Sequence, residues 1–284
     1  MQMADEMVQC DIDFQVNDSP ASVVAFLRRI RRIFDPNTVG WHIDFSKCGY
    51  LGPDVVAIVV TAVLEARHLG IKCEVTLPKG ITALEAFCEF SGLNNLMLGS
   101  PVPEEDHPNC VTIPIRVQHK ATFGDPDPII RLITRFVPLS PELEDYLRIC
   151  VNEVIQNVED HARSSIGCAT CARFMKNVGE VRVAIVDRGR GIGTTLSNKY
   201  TDMRDAGDAL RHVLQGGYSA KSRPNNMGLG ISNLSNIIVQ QLHGELFIVT
   251  EDAFADGKFG RQTFSKPLNM HFPGTGVFFS IPIR

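Results

Sequence analysis

Glu153 and Asn157 stand four residues apart, and Asp160 and His161 follow them. On a helix that spacing puts a carboxylate and a carboxamide on one side, one turn apart. A carboxylate there can take a proton from an attacking hydroxyl or water. An amide oxygen one turn on can ligate Mg2+, a hard cation that prefers oxygen donors and keeps several of its waters. Further along, Asp187-Arg188-Gly189-Arg190-Gly191-Ile192-Gly193 ends a β-rich run, Val181 to Val186. An aspartate buried at a strand end can accept a hydrogen bond from an adenine amino group. Glycines 189, 191 and 193 let the backbone turn sharply and approach a ligand without a Cβ in the way. A third piece, Asn225 to Leu234, carries Gly228-Leu229-Gly230 at the start of a helix, where free amides and the helix dipole favour phosphate. Taken in order, these are the parts of a nucleotide site.

Each piece has a plainer explanation. Glu153, Asp160 and Arg163 suit a solvated helix face, whereas Asn157 suits one less well because asparagine is a poor helix former. The glycine run is not the dinucleotide fingerprint, which needs G-x-G-x-x-G directly before a helix and an acid about twenty residues later. The chain has no G-x-x-x-x-G-K-[ST] phosphate loop. Cys168-Ala169-Thr170-Cys171 has the spacing of half a zinc site, but it lies in a strand, where residues three apart face opposite ways, and no second pair accompanies it. Residues 194–227 are polar, with Gly207, Gly216 and Gly217 as candidate hinges, and fit a lid over the nucleotide; Lys221 and Arg223 either reach phosphate oxygens from it or, as lone basic loop residues more often are, are merely solvated. Gly274-Thr275-Gly276 predicts a turn into a core strand ending at Ile283; the stretch 251–271 suggests no function.

The elements that must hold these residues are legible. Ser140-Pro141-Glu142 is a helix start: a capping hydroxyl, a proline in the first turn, then acids. Leu143, Leu147, Cys150, Val151, Val154 and Val158 follow at helical spacing and predict the face that meets a core. Nearer the N-terminus, helical and strand patterns alternate. A helix is predicted over 23–33, a strand over 39–45, and a helix from Pro53 to about His68 that stops at Gly70. A strand over 71–77 and a short helix over 81–91, ended by Gly92, complete the alternation. Ser100 to Asn109, with three prolines and three acids, reads as a linker. The expected organisation is a two-domain α/β chain: an α/β layer domain over 1–100, a linker over 101–110, and a second α/β domain over 111–284.

Composition narrows the function classes. At 284 residues, 44% hydrophobic and 21% charged, the chain is globular and long enough for two domains. A net charge of −4 gives no bulk attraction to nucleic acid or to an anionic membrane. The basic run Arg28 to Arg32 reads as the solvated face of a helix. No apolar run reaches membrane-spanning length; the longest, Val55 to Leu64, suits a buried helix. The first residues are polar and acidic, unlike a signal peptide, and eight scattered cysteines predict a cytoplasmic protein with reduced thiols.

On these motifs, residues from about 111 to 284 resemble a GHKL (Bergerat-fold) ATPase domain, the α/β sandwich of gyrase, histidine-kinase and MutL ATPases. Glu153 to Ala162 matches that family's N box, Asp187 to Gly193 its first glycine box and Gly228 to Gly230 its second. The resemblance implies ATP and Mg2+ as cofactors, with Glu153 as catalytic base, Asn157 as the Mg2+ ligand and Asp187 on adenine. It implies Gly189, Gly191 and Gly193 around the base and lid hinge, and Gly228, Leu229 and Gly230 at the phosphates. Asp160, Ile192, Lys221 and Thr275 complete the expected cofactor-binding set. The segment from about 20 to 98 resembles a STAS domain, in Ile43 to Leu51, the helix that follows, and Gly70 to Val75. Where that family often carries a phosphorylatable serine, this chain has Gly52-Pro53-Asp54 and no hydroxyl. Asp54 either mimics the phosphoserine charge or, more simply, is an acid in a first helical turn.

The chain shows no dimerisation helix with a phosphoacceptor histidine before the second block, and no transducer domain. What remains resembles the compact anti-sigma-type serine kinases, whose usual partners are STAS proteins. The expectation is an ATP-binding, Mg2+-dependent signalling protein, a serine/threonine kinase or ATPase, with a STAS-type or sigma-factor regulator as partner and homodimerisation as an option. Two alternatives stay open: a nucleotide-gated binding module with little turnover, and a degenerate fold that binds no nucleotide.

Overall fold

A computed structural model of the chain describes residues 7–13, 19–102, 111–119, 125–200, 203–216, 230–261 and 264–283. The first part alternates as the sequence pattern predicts: β1 (Val8–Asp11), α1 (Pro20–Ile30), β2 (Gly40–Asp44), α2 (Pro53–His68), β3 (Lys72–Thr76), α3 (Thr82–Phe90) and α4 (Leu93–Met97). Its three strands pair in parallel in the order β1-β2-β3. Parallel neighbours need crossover connections, which α1 and α2 supply. Ser19 caps α1 by accepting from the Ser22 amide, and Pro20 occupies the first turn. The helix expected to reach residue 33 instead tightens at Arg31–Phe34 into a 3-10 turn, with Ile33 buried. The four arginines from Arg28 to Arg32 are exposed and Ile30 is buried, as a solvated helix face requires.

α2 is apolar on every side. Val55 to Val60 are all buried, with Thr61, Ala62, Val63 and Ala66. A helix without a polar face needs cover all round. The parallel sheet covers one side, and the second part of the chain covers the other.

That second part is built on a five-stranded antiparallel sheet. It comprises β4 (Thr112–Gln118), α5 (Asp127–Phe136), α6 (Pro141–Asn157), β5 (Cys168–Met175), β6 (Glu180–Asp187), α7 (Ile192–Ser197), α8 (Ala206–Gln215), α9 (Gly230–Ser235), β7 (Glu245–Lys258) and β8 (Phe264–Pro282). Strand order is β4-β5-β6-β8-β7. Both faces of the sheet are covered, and in β6 the consecutive residues Val183 to Val186 are all buried. Along β6, Val181, Val183 and Ile185 pack with the residues of α5, α6, α8 and α9. Ala184 and Val186, pointing the other way, join the cluster that contains α2. The two blocks thus share one continuous cluster, in which Val55, Val59 and Val63 lie with Ile115, Ala184, Phe247 and Phe278. Cys168 and Cys171 fall in different clusters, on opposite faces of β5, as their spacing in a strand predicts.

Two stretches differ from their sequence reading. Residues 194–227, expected to be a polar lid, contain α8 and most of α7. Asp205 caps α8 by accepting from Asp208 N at 2.7 Å, and Ala206, Ala209, Leu210 and Val213 are buried. That apolar stripe docks α8 onto β7 and β8. Residues 251–271, for which the sequence suggested nothing, extend β7 and β8 into a long hairpin. Register shifts between Thr250 and Glu251 and between Glu251 and Ala253 interrupt the ladder where the extension begins. Ala253 and Ala255 join the α8 side, while Leu268 and Phe272 join the N-terminal block. Arg28 Nε of α1 donates to the Leu268 carbonyl at 3.2 Å. Among the described residues no helix is long and apolar enough to cross a membrane.

Candidate functional site

Ser140 Oγ accepts from Leu143 N at 3.3 Å and fixes the start of α6. Leu147, Cys150, Val151, Val154 and Ile155 then face the core, which leaves Glu153 and Asn157 half-buried along one edge. After Asn157 the helix widens into a π turn, Val158–Ala162, and Arg163 ends it in the left-handed region at φ 51°. Such π turns are frequent at functional sites. Here the turn presents the Ala162 carbonyl, which accepts from Arg190 N at 2.8 Å. A Cβ at residue 189 would collide with Ala162, so only glycine allows this close docking. The end of α6 and the turn after β6 are locked together.

Asp187 ends β6 and is buried. Its Oδ1 accepts from Gly189 N at 2.7 Å, and the Thr275 amide also donates to its carboxylate. Burial pushes the Asp187 carboxyl up to about 6, against the pull of these amides and of Arg188. It is therefore an ionised acceptor near neutral pH, with little solvation of its own. The cleft above it is lined by Glu153, Asn157, Gly191, Ile192, Thr195, Gly230, Ile231 and Thr275, with Val154, Val158, Ile185, Leu196, Val213 and Val277 as apolar walls. Gly230 opens α9 directly over α6: a Cβ there would stand 2.7 Å from Glu153 Cβ.

One cleft thus brings together Glu153, Asn157, Asp187, Gly191, Ile192, Gly230 and Thr275. Gly189 and Gly193 are not on its wall. Gly189 sits against Ala162, and Gly193 packs against Glu251 and Ala206. Asp160 is exposed on the π turn and is not among the lining residues. The helical spacing that should align it with Glu153 and Asn157 assumes 3.6 residues per turn, and the wider π turn swings it off that face. Lys221, Gly228 and Leu229 lie outside the described residues.

Sequence reasoning missed several contributors. Thr195, Leu196 and Val213 line the cleft from α7 and α8. The three- and four-residue spacing of Ala206, Ala209, Leu210 and Val213 was the available signal. Arg188 was also overlooked. Strand alternation sends it to the face opposite Asp187. There its Nε donates to Glu65 Oε2 of α2 at 2.8 Å, Nη2 pairs with the same carboxylate, and Nη1 donates to the Pro273 carbonyl at 3.2 Å. The guanidinium also lies 4.5 Å from the centre of the Phe34 ring. Burial lowers the Arg188 pKa, and the Glu65 carboxylate opposes that shift. Asp54, the candidate phosphoserine mimic, is buried in the first turn of α2.

Among the described residues that line the cleft there is no cysteine. Cys150, one turn before Glu153, is held protonated by burial, which pushes its thiol up to about 12. Among the described residues no three His, Cys, Asp or Glu side chains cluster as a metal cage. Glu153 and Asn157 offer hard oxygen donors, a set that suits an ion taking its remaining ligands from phosphate and water.

No protein-family model matches the chain, and no curated protein does. Among solved structures, the crystal structure of the B subunit of DNA gyrase from Myxococcus xanthus is similar, at 10% identity and a TM-score of 0.24, over 54% of this chain and 37% of that one. What the cleft binds has to be argued from its own residues.

Proposed function

We propose that the cleft binds ATP with Mg2+ and that the chain is a cytoplasmic GHKL-type signalling protein, a serine/threonine kinase or ATPase of the anti-sigma type. The observation that carries the reading is the meeting, in one cleft, of a buried acceptor carboxylate, apolar walls and an acid–amide pair. Adenine has two apolar faces and an amino donor; Ile185, Ile192 and Val277 suit the faces, and Asp187 suits the donor. Asn157 would hold Mg2+, which supplies charge neutralisation at the phosphates when bound. Glu153 would accept the proton of the attacking hydroxyl or water. A STAS-type or sigma-factor regulator as partner, and assembly as a homodimer, belong to the same proposal.

Isothermal titration of ATP with Mg2+ into the wild type and Asp187→Asn, with phosphate release followed in the same samples, tests it. Binding by the wild type and none by the variant is expected; a wild type that does not bind removes the proposal. Glu153→Gln should still bind ATP but lose phosphotransfer. A second reading, a nucleotide-gated switch, draws on α8, which lines the cleft through Val213 and packs on the hairpin that also meets the N-terminal block. Absent turnover, together with equal protection from proteolysis by ATP and a non-hydrolysable analogue, would favour it.

A further inference from the structure

The long hairpin reaches the cleft through two adjacent residues, Thr250 and Glu251, neither of which lines it. Thr250 is fully buried. Its one hydroxyl accepts from Ile192 N at 3.0 Å and donates to the Gly274 carbonyl at 3.0 Å, and it lies 3.4 Å from Thr275 Oγ1. It therefore ties two separate cleft segments, the turn after β6 and the turn before Thr275. Glu251 completes the bracket. Its carboxylate accepts from Gly193 N at 2.6 Å, from Thr194 N at 3.1 Å and from Thr194 Oγ1 at 2.6 Å.

The backbone at this point is unusual. Glu251 adopts φ 50°, uncommon for a residue other than glycine, asparagine or aspartate. It sits between two register shifts of the β7–β8 ladder. The bulge aims its side chain at the turn and spends backbone strain to do so. Gly191, at φ 84°, completes the fit: a Cβ there would stand 2.6 Å from Glu251 Cγ and 2.8 Å from Thr250 Oγ1. Glycine at 191 serves the bracket as well as any ligand.

We infer that Thr250 and Glu251 are positioning residues for the nucleotide cleft, holding Gly191, Ile192 and Thr275 in place from behind. This rests on the ATP reading of the cleft. It also gives the hairpin a role, since its first bulge is what delivers Glu251.

The test compares ATP·Mg2+ affinity in the full-length wild type, Thr250→Val, Thr250→Ser and Glu251→Gln, at a temperature where circular dichroism shows each one folded. Thr250→Val keeps the shape and removes the hydroxyl; Thr250→Ser keeps the hydroxyl. Glu251→Gln keeps the length but turns an acceptor group partly into a donor facing amides. Thr250→Val and Glu251→Gln should each weaken binding about tenfold, as loss of a positioning hydrogen bond predicts, with Thr250→Ser within about twofold of the wild type. Rescue by serine separates a positioning role from general packing. Wild-type affinity in folded Thr250→Val, or serine as weak as valine, overturns the inference while leaving the ATP reading intact. If Thr250→Val does not fold, Glu251→Gln decides alone, and unchanged affinity there overturns the inference too. A wild type that binds no ATP overturns both.

Discussion

Asp187 and Arg188 are neighbours in the chain and belong to different regions of the molecule. Asp187 faces the cleft, where backbone amides donate to its carboxylate and burial pushes its carboxyl up, against those amides and the charge of Arg188. Arg188 faces the N-terminal block, where a carboxylate, a carbonyl and an aromatic ring surround its guanidinium. One charge is satisfied within the protein, and the other is left with acceptor capacity to spare. A buried group whose charge is fully paired is a structural fixture, whereas one that stays under-solvated is poised for a ligand. The strand's two-residue period separates the two roles by a single peptide bond.

That contrast can be broken from either side. The largest effect is expected on the paired side. Glu65→Ala strands the Arg188 guanidinium, whose side chain is only 3% exposed, and should cost about 3 kcal/mol of stability in urea unfolding. Affinity for ATP, measured where the variant is folded, should change far less than its stability.

Asp187→Asn should do the reverse, abolishing ATP binding while stabilising the fold. The folded carboxyl holds its proton to about pH 6, whereas a solvated aspartate in the unfolded chain releases it at 3.8. Between those values the folded state binds more protons than the unfolded state, so stability falls as pH rises through that window. Below it the group costs nothing, and above it the penalty is constant at up to about 3 kcal/mol. Unfolding curves of the wild type and Asp187→Asn should therefore converge near pH 4 and separate towards pH 7, with the variant the more stable. ATP affinity of the wild type should fall on acidification through about pH 6, as the acceptor becomes protonated.

The smallest effect serves as a control at the far end of the hairpin. Lys266 pairs with Asp256 at 2.7 Å, but both side chains are well exposed. Lys266→Ala should change stability by no more than about 0.5 kcal/mol and leave ATP binding unaltered. A larger change would mean that the hairpin's outer arm, as well as Thr250 and Glu251, bears on the cleft.

Much of the framework was legible. Pro53 and Gly70 bound α2, Ser140 and Pro141 start α6, and the run from Val181 to Val186 lies within β6. Glu153, Asn157, Asp187, Gly191, Gly230 and Thr275, read from motif and spacing, line one cleft. Asp160 lies off that lining, because the helix widens into a π turn over Val158–Ala162. The polar appearance of 194–227 hid α8, whose four buried apolar residues are diluted by an exposed face.

What the sequence determined by itself is what short range can encode: helix starts and stops, the alternation along β6, the glycine turns, and the pairing of Glu153 with Asn157 one helical turn apart. These depend on local sterics and on period, which a few neighbouring residues specify. Tertiary structure alone decided that Glu251, 58 residues beyond Gly193, would close on the glycine turn. It likewise decided that Glu65, 123 residues before Arg188, would neutralise it. No local preference carries such a partnership. It arises when two buried faces meet, and then each polar group brought along must find a partner or remain costly until a ligand supplies one.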